Sequence, residues 1–400
     1  MKKICEEQAP FSEYQDFSDD DKVPEGKKEV AIVYDERMLL HKFHSRKHYE
    51  RPERLTIIHT NFLIKNYLSK CKLIPPALIS EENLLLVHSQ NHIEKVKSTQ
   101  FQYLGMEEKP LPEGKNTSKF SKETYENYWT YLSSCVSAWC SISAVYEIEK
   151  GTCKKIFCIN RPAGHHAGVN SVGGFCFFNN CAIAARYAQK KYNIKKIAIV
   201  DWDVHYGNGT SEIFYSDDNV LYISLHRYDN GQFYPKCGSI AEIGTGKGEG
   251  FNLNIPWNNA DTQVKSLISD REYFEAFETI ILPVLKEFSP ELLIISNGYD
   301  AIIGDNIGKL SLSEEIYYYM TFSLKEICQK LIFLLEGGYN LKMLSKGSEA
   351  SIKALLNLEL KEKNIEEIKN TIRLKEFQKN GSETLKNVLE IHKKYWKCLN

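Results

Sequence analysis

Six short runs of β-branched and aliphatic residues constrain this chain more than any other feature: VAIVYD (30–35), KIFCIN (155–160), KIAIVDWD (196–203), VLYISLH (220–226), ELLIISNGYD (291–300) and KLIFLLEGGY (330–339). Each is apolar throughout rather than alternating. A strand with one face in water alternates, whereas a parallel strand is covered on both faces by its crossover helices and does not. The segments between the runs carry a helical period. NNCAIAARYAQKKY (179–192) opens on two asparagines, either of which can cap it, and REYFEAFETIILPVLKEF (271–288) is a helix expected to be disturbed near Pro283. Beyond 350 the chain is Lys/Glu-rich with periodic Leu and Ile, the texture of amphipathic helices. Strands alternating with helices make the fold class α/β, a single doubly wound domain with a central, mainly parallel sheet flanked by helices.

Residues 1–27 are acidic and poor in aliphatics and are expected to form a flexible arm, leaving 28–400 as the domain. Two long excursions interrupt it, 102–122 with Pro110, Pro112 and Gly114, and 229–250 with six glycines. Loops of that length are usually functional or disordered. The charge balance, 51 Lys+Arg against 52 Asp+Glu, excludes a generally basic nucleic-acid coat and predicts no direct nucleic-acid partner. None of the 11 cysteines forms a C-x-x-C pair, so they read as free thiols in a reducing compartment. The N-terminus lacks an apolar signal core and no window approaches the ~18 apolar residues of a membrane span. The expectation is a protein that is not secreted and has no membrane partner, cytoplasmic and/or nuclear.

In an open parallel sheet, ligands bind beyond the carboxyl ends of the strands. There the sequence places His165, His166, Asp201, Asp203, His205, Asp300 and Tyr339. Residues two apart on an extended segment face the same side, so Asp203 and His205 can grip one ion. With Asp300 they make one imidazole and two carboxylates, the three-ligand set of a catalytic zinc site. A lone Asp-x-His is more often a capped turn with a surface histidine, but Asp201 in front, Asp300 on another strand end and a His pair on a third reverse the odds toward the metal. Ile302 stands two after Asp300, so no second D-x-D pair exists and one ion is expected. His165 and His166, in a glycine-rich loop, are candidate acid/base groups, with Asp201 and Asn208 as orienting partners. Tyr339, after two glycines, is either core packing or an oxyanion donor.

These residues, with RPAGHHAG (161–168), GGFCFFNN (173–180), IVDWDVHYGNGT (199–210), LYISLHRYDNGQFYP (221–235), SNGYDAIIGD (296–305) and LEGGYN (335–340), resemble the zinc-dependent histone deacetylase family, more closely its class II branch. ERPERL (50–55), KETY (122–125) and ETLKNVLEIHKKYW (383–396) extend the resemblance over about 28–400. It implies an arginase/deacetylase-like fold and the hydrolysis of N-ε-acetyl-lysine in histone or other proteins. It implies Zn²⁺ on Asp203, His205 and Asp300, with Fe²⁺ compatible with the same set. His166 becomes the general base and acid, His165 with Asp201 the electrostatic support, Asn208 the partner of His166, and Tyr339 the carbonyl-polarising donor. Gly174, Phe175, Phe233, Tyr234 and Ile307 become substrate-binding residues of the lysine tunnel and its mouth. Asp201, Asp203, His205, Ser224 and Leu225 resemble the family's monovalent-cation site, normally K⁺.

Departures from the family pattern are Ala163 for Pro, Tyr206 for His, Tyr234 for Phe, Asn297 and Tyr299 for Ala and Phe, and Asn306-Ile307 for Pro-Leu or Pro-Met. Polyamine-selective class II relatives carry Glu where this chain has Ile307. The resemblance therefore favours acetylated proteins over the alternative, an acetylpolyamine amidohydrolase. A non-catalytic acyl-lysine reader would lack a ligand, His166 or Tyr339, and none is missing.

Overall fold

All six apolar runs form strands of one sheet. The computed structural model describes residues 28–43, 48–75, 77–105, 118–120, 123–259 and 268–400. The arm expected at 1–27 and most of the excursion at 102–122 lie outside the described residues. In chain order the strands are β1 (Val30–Val33), β2 (Lys72–Ile74), β3 (Lys155–Cys158), β4 (Ile197–Asp201), β5 (Val220–Arg227), β6 (Asn252–Trp257), β7 (Leu292–Asn297) and β8 (Leu331–Leu335). They lie side by side in the order β2-β1-β3-β8-β7-β4-β5-β6, and every pairing is parallel.

The two strands that the apolar runs do not announce are the two edges. β2 is three residues long with Leu73 59% exposed, and β6 (NLNIPW) alternates asparagine with apolar residues and contains Pro256. An edge strand needs neither two apolar faces nor a full set of N–H donors, so it escapes a search for continuous apolar runs. The inner strands are apolar because helices cover them. The helix Thr130–Glu149 is buried along nearly its whole length and packs against the helix Asn180–Tyr192. The latter is capped by Asn179, whose side chain accepts from Ala182 N, and ends at Asn193 in a left-handed conformation. Helices Glu314–Ile327, Leu341–Leu355 and Glu53–Ile64 pack in sequence on one another.

The expected disturbance near Pro283 is a single π-helical turn, Phe277–Ile281, between α-helices Asp270–Ala276 and Leu282–Phe288. Widening the helix just before the proline accommodates its missing N–H. The amphipathic tail is present as Ile365–Arg373 and Lys379–His392. No described helix is long and apolar enough to cross a membrane, and the ten described cysteines are unpaired.

Candidate active site

β3, β8, β7 and β4 are consecutive neighbours in the sheet, although the chain visits them far apart. Their carboxyl ends therefore open side by side. β3 leads into the loop with His165 and His166, β4 ends at Asp201, β7 leads to Asp300 and β8 to Tyr339.

Asp203, His205 and Asp300 present ligand atoms within 4.8 Å of one another, all buried. His205 Nδ1 lies 3.0 Å from Asp203 Oδ1 and 3.2 Å from Asp300 Oδ2. Donors on a tetrahedral ion with bonds of ~2.0 Å stand about 3.3 Å apart, so the set fits zinc. The remaining oxygens are used elsewhere: Asp203 Oδ2 accepts from Gly337 N (2.7 Å) and Asp300 Oδ1 from Val204 N (2.8 Å). Asp300 Oδ2 is buried and, among the described residues, accepts no hydrogen bond. Burial, then the charge of Asp203, pushes Asp300 up to about 7. A buried carboxylate oxygen left without a donor beside a second carboxylate calls for a cation. Gly337 makes room for it, since a Cβ there would lie 2.1 Å from Asp300 Oδ2 and 2.5 Å from Asp203 Oδ2.

The histidine pair is split by its partners. His165 Nδ1 lies 3.0 Å from Asp201 Oδ2, and His166 Nδ1 lies 2.7 Å from Asn208 Oδ1. Burial opposes a charged His165, but Asp201, Asp203 and Glu336 outweigh it and raise its pKa well above the usual value. For His166, burial and the neighbouring His165 and His205 act in one direction, keeping it well below the usual value. The two environments push the adjacent imidazoles toward opposite charge states, and His166 Nε2 is left free as a base because Nδ1 donates to Asn208. Tyr222 OH donates to Asp201 Oδ2 (2.9 Å) and steadies the first of these pairs.

Tyr339 is buried at the turn after β8. Its N–H donates to Asp305 Oδ2 (2.7 Å), and its ring meets Phe175 edge-on with centroids 6.0 Å apart. Asp305 Oδ1 accepts from Ile307 N (2.8 Å), which ties half-buried Ile307 to the same turn.

Phe175 lies against Tyr339, while Phe233 and Tyr234 lie against the histidines. Phe233 stacks on His205 (5.2 Å between centroids), and Tyr234 meets His166 edge-on at 5.1 Å. Gly174 has φ 49°, and a Cβ there would lie 2.1 Å from His166 Cδ2, so only glycine admits this closeness of loop and imidazole. Ser224 and Leu225 sit on β5, with Ser224 in register with Asp201. Ser224 Oγ lies 2.9 Å from His226 Nδ1, and Leu225 O accepts from Tyr273 OH at 3.4 Å.

Several supporting residues have no assigned role in the sequence reading. Glu50 and Arg54 of ERPERL, Tyr125 of KETY and Arg161 of RPAGHHAG meet in one buried cluster. Arg161 Nη2 donates to Glu50 Oε2 (2.8 Å) and Nη1 to Met38 O (3.0 Å), while Tyr125 OH donates to Glu50 Oε2 (2.7 Å). Burial works against the Glu50 charge, but Arg161 and then Arg54 hold its carboxyl well below the usual range. Three motifs that share no local pattern are thus one ionic brace. Glu336 is the other missed residue, and its only sequence signal is an acid ending an apolar run. Two departures also find their reason: Asn297 accepts from Trp202 Nε1 (3.0 Å) and donates to Tyr299 OH (3.0 Å), which donates to Ser351 Oγ (3.0 Å). Tyr206 is buried against His226 and donates to Ser211 Oγ (2.6 Å), away from the ligands.

The histone deacetylase domain model matches residues 48–355. Histone deacetylase HDA1 of Candida albicans is 38% identical over 92% of this chain and 45% of its own length. Histone deacetylase 15 of Arabidopsis thaliana is 38% identical over 82% of this chain and 56% of its own. The chain spans about half the length of these curated relatives. The crystal structure of the HDA15 HD domain matches with a TM-score of 0.82 and 35% identity, covering 94% of this chain and 97% of that one.

Proposed function

Since the chain belongs to the histone deacetylase family, we propose that it is a zinc-dependent protein lysine deacetylase, acting in the cytosol or nucleus on N-ε-acetyl-lysine side chains. The observation that carries the reading is the buried Asp203–His205–Asp300 cluster with neutral, Asn208-bound His166 beside it. Asp203, His205 and Asp300 would hold the zinc. When bound, zinc supplies Lewis acidity, which polarises the acyl carbonyl and makes water acidic enough to react near neutral pH.

The chain's own groups do the rest. Phe175, Phe233 and Tyr234 enclose the lysine methylenes and exclude water, and the Gly174 carbonyl accepts from the substrate amide N–H. His166 Nε2 takes the proton of the attacking water and later delivers it to the departing amine. His165, kept charged by Asp201, contributes positive potential where negative charge develops. Tyr339 donates its hydroxyl to the carbonyl oxygen, and the donation strengthens as that oxygen becomes anionic. A monovalent cation on Asp201, Asp203 and His205, completed by Ser224 and Leu225, belongs to the same proposal.

The test is hydrolysis of acetyl-, trifluoroacetyl- and longer acyl-lysine peptides alongside N-acetylspermidine, with chelation and metal add-back. Acetyl-lysine turnover that is lost on chelation and restored by zinc is expected. Equal or better turnover of N-acetylspermidine overturns the choice of substrate. No hydrolysis by metal-replete protein favours a reader of acylated lysine.

A further inference from the structure

Glu336 follows β8 directly and ends in none of the roles above. It is 0% exposed. Its Oε2 accepts from two consecutive main-chain donors across the sheet, Gly164 N (2.8 Å) and His165 N (3.1 Å). Its Oε1 accepts from Ser296 Oγ (3.1 Å) at the end of β7. Its main chain is engaged as well: its N–H donates to Asn297 O (3.2 Å), and its carbonyl accepts from Arg54 Nη2. The next residue, Gly337, donates to the ligand Asp203. One side chain thus joins the loop carrying the histidine pair to the ends of β7 and β8, from which Asp300 and Tyr339 depart.

We propose that Glu336 is a positioning residue, the acceptor that fixes the Gly164–His165 main chain and thereby the placement of His165 and His166 over the metal ligands. A loop of Ala163, Gly164 and two histidines has no secondary structure of its own to hold it. Buried N–H groups must be paired, and the two here converge on one oxygen. Among the described residues no Lys or Arg side chain pairs with this carboxylate, burial pushes its carboxyl up to about 7, and His165, Asp201, Cys176 and Cys181 are ionisable groups near it.

Acceptor and charge are separated by two conservative variants. Glu336→Gln keeps an oxygen at the same reach for Gly164 and His165, and its amide nitrogen can donate to Ser296 Oγ. Glu336→Asp keeps the carboxylate but draws it back by one methylene. Full-length, metal-loaded protein is assayed on an acetyl-lysine peptide, with metal content and circular dichroism as controls. We expect the Gln variant to stay within about threefold of wild-type kcat. The Asp variant should lose about 10- to 100-fold in kcat with KM little changed, the scale of displacing a reacting group by a fraction of an ångström. Retained activity in Asp with loss in Gln, or wild-type kcat in both, overturns the inference.

This inference rests on the deacetylase reading, so a second measurement is independent of turnover. Amide hydrogen exchange of segment 161–168 should quicken in the Asp variant and not in the Gln variant. Unchanged exchange in the Asp variant overturns the role of Glu336 even if wild type proves inactive, whereas wild-type inactivity alone overturns only the assigned reaction.

Discussion

The guanidinium of Arg54 lies 5.1 Å from the centre of the Tyr339 ring, and the same group donates to the carbonyls of Gly338 (2.7 Å) and Glu336. An N-terminal helix, Glu53–Ile64, is in this way clamped to the turn that carries Tyr339, the proposed oxyanion donor. Tyr339→His should lower kcat by ~10²-fold or more, the scale of removing one such donor. Arg54→Lys keeps the charge but cannot fork to two carbonyls, and should lower kcat by about tenfold with little change in KM. Steady-state kinetics decide it. A Lys variant with wild-type kcat would show that the clamp does not act through Tyr339.

His166→Ala removes the neutral imidazole that Asn208 holds at 2.7 Å and leaves Asp203, His205 and Asp300 in place. Turnover should fall by at least ~10²–10⁴-fold, the usual worth of a general acid–base group. Metal content by elemental analysis should equal that of wild type. Activity surviving in this variant breaks the assigned role.

Ile307 N and Tyr339 N both donate to Asp305, and Ile307 brings no charge to the proposed tunnel mouth. Ile307→Glu should raise kcat/KM for N-acetylspermidine relative to an acetyl-lysine peptide by about tenfold, the scale of one charge-assisted contact with a second ammonium. An unchanged ratio would mean that Ile307 does not select the substrate.

Four buried histidines should draw stability from the fold as pH falls below ~6.5, against the opposite contribution of Asp300 and Glu336, whose carboxyls burial raises. Burial lowers His41 and His88 to about 3 and His226 and His392 to about 4, with Arg161 adding to the effect on His41. Above the unfolded value of ~6.5 neither state takes up these protons, and the stability is fully present. As pH falls below it, the unfolded chain binds protons that the folded chain refuses. Stability is then lost by up to about 1.4 kcal/mol per pH unit for each histidine, until the folded groups titrate at 3 to 4. Among the described residues His392 has no hydrogen bond on either ring nitrogen, so His392→Leu should flatten the decline. Urea unfolding at pH 7 and pH 5 measures both slopes, and parallel slopes for the two proteins sink the attribution.

The readable part of this protein was its inner sheet. Ile197–Val200 or Leu292–Ile295 are apolar on both faces because both are covered, and that demand is written in consecutive residues. β6 carries no such mark, since Asn252 and Asn254 serve the 229–250 loop, donating to Glu242 O and Ser239 O, and its outer side needs no partner. The site residues were legible by type: an Asp-x-His, a further Asp and a His pair, each at a strand end. The groups that hold them were not. Glu50, Arg54 and Arg161 look like surface charges in their own segments and Tyr125 like an ordinary aromatic, and only their convergence makes them a brace.

By itself, then, the amino-acid sequence determined the parallel α/β class, the inner strands and the chemical kinds of group available where those strands end. These follow from local constraints: period, branching, capping and ligand type. The tertiary structure decided which strand ends are neighbours. Placing β8 and β7 between β3 and β4 brings Tyr339, Asp300 and the Asp201–His205 segment beside the histidine loop. It also sets one imidazole against Asp201 and its neighbour against Asn208, which pushes two adjacent histidines toward opposite charge states. A residue's type fixes what it can do, but its field and its partners come from segments distant in the chain, and those are supplied only by packing.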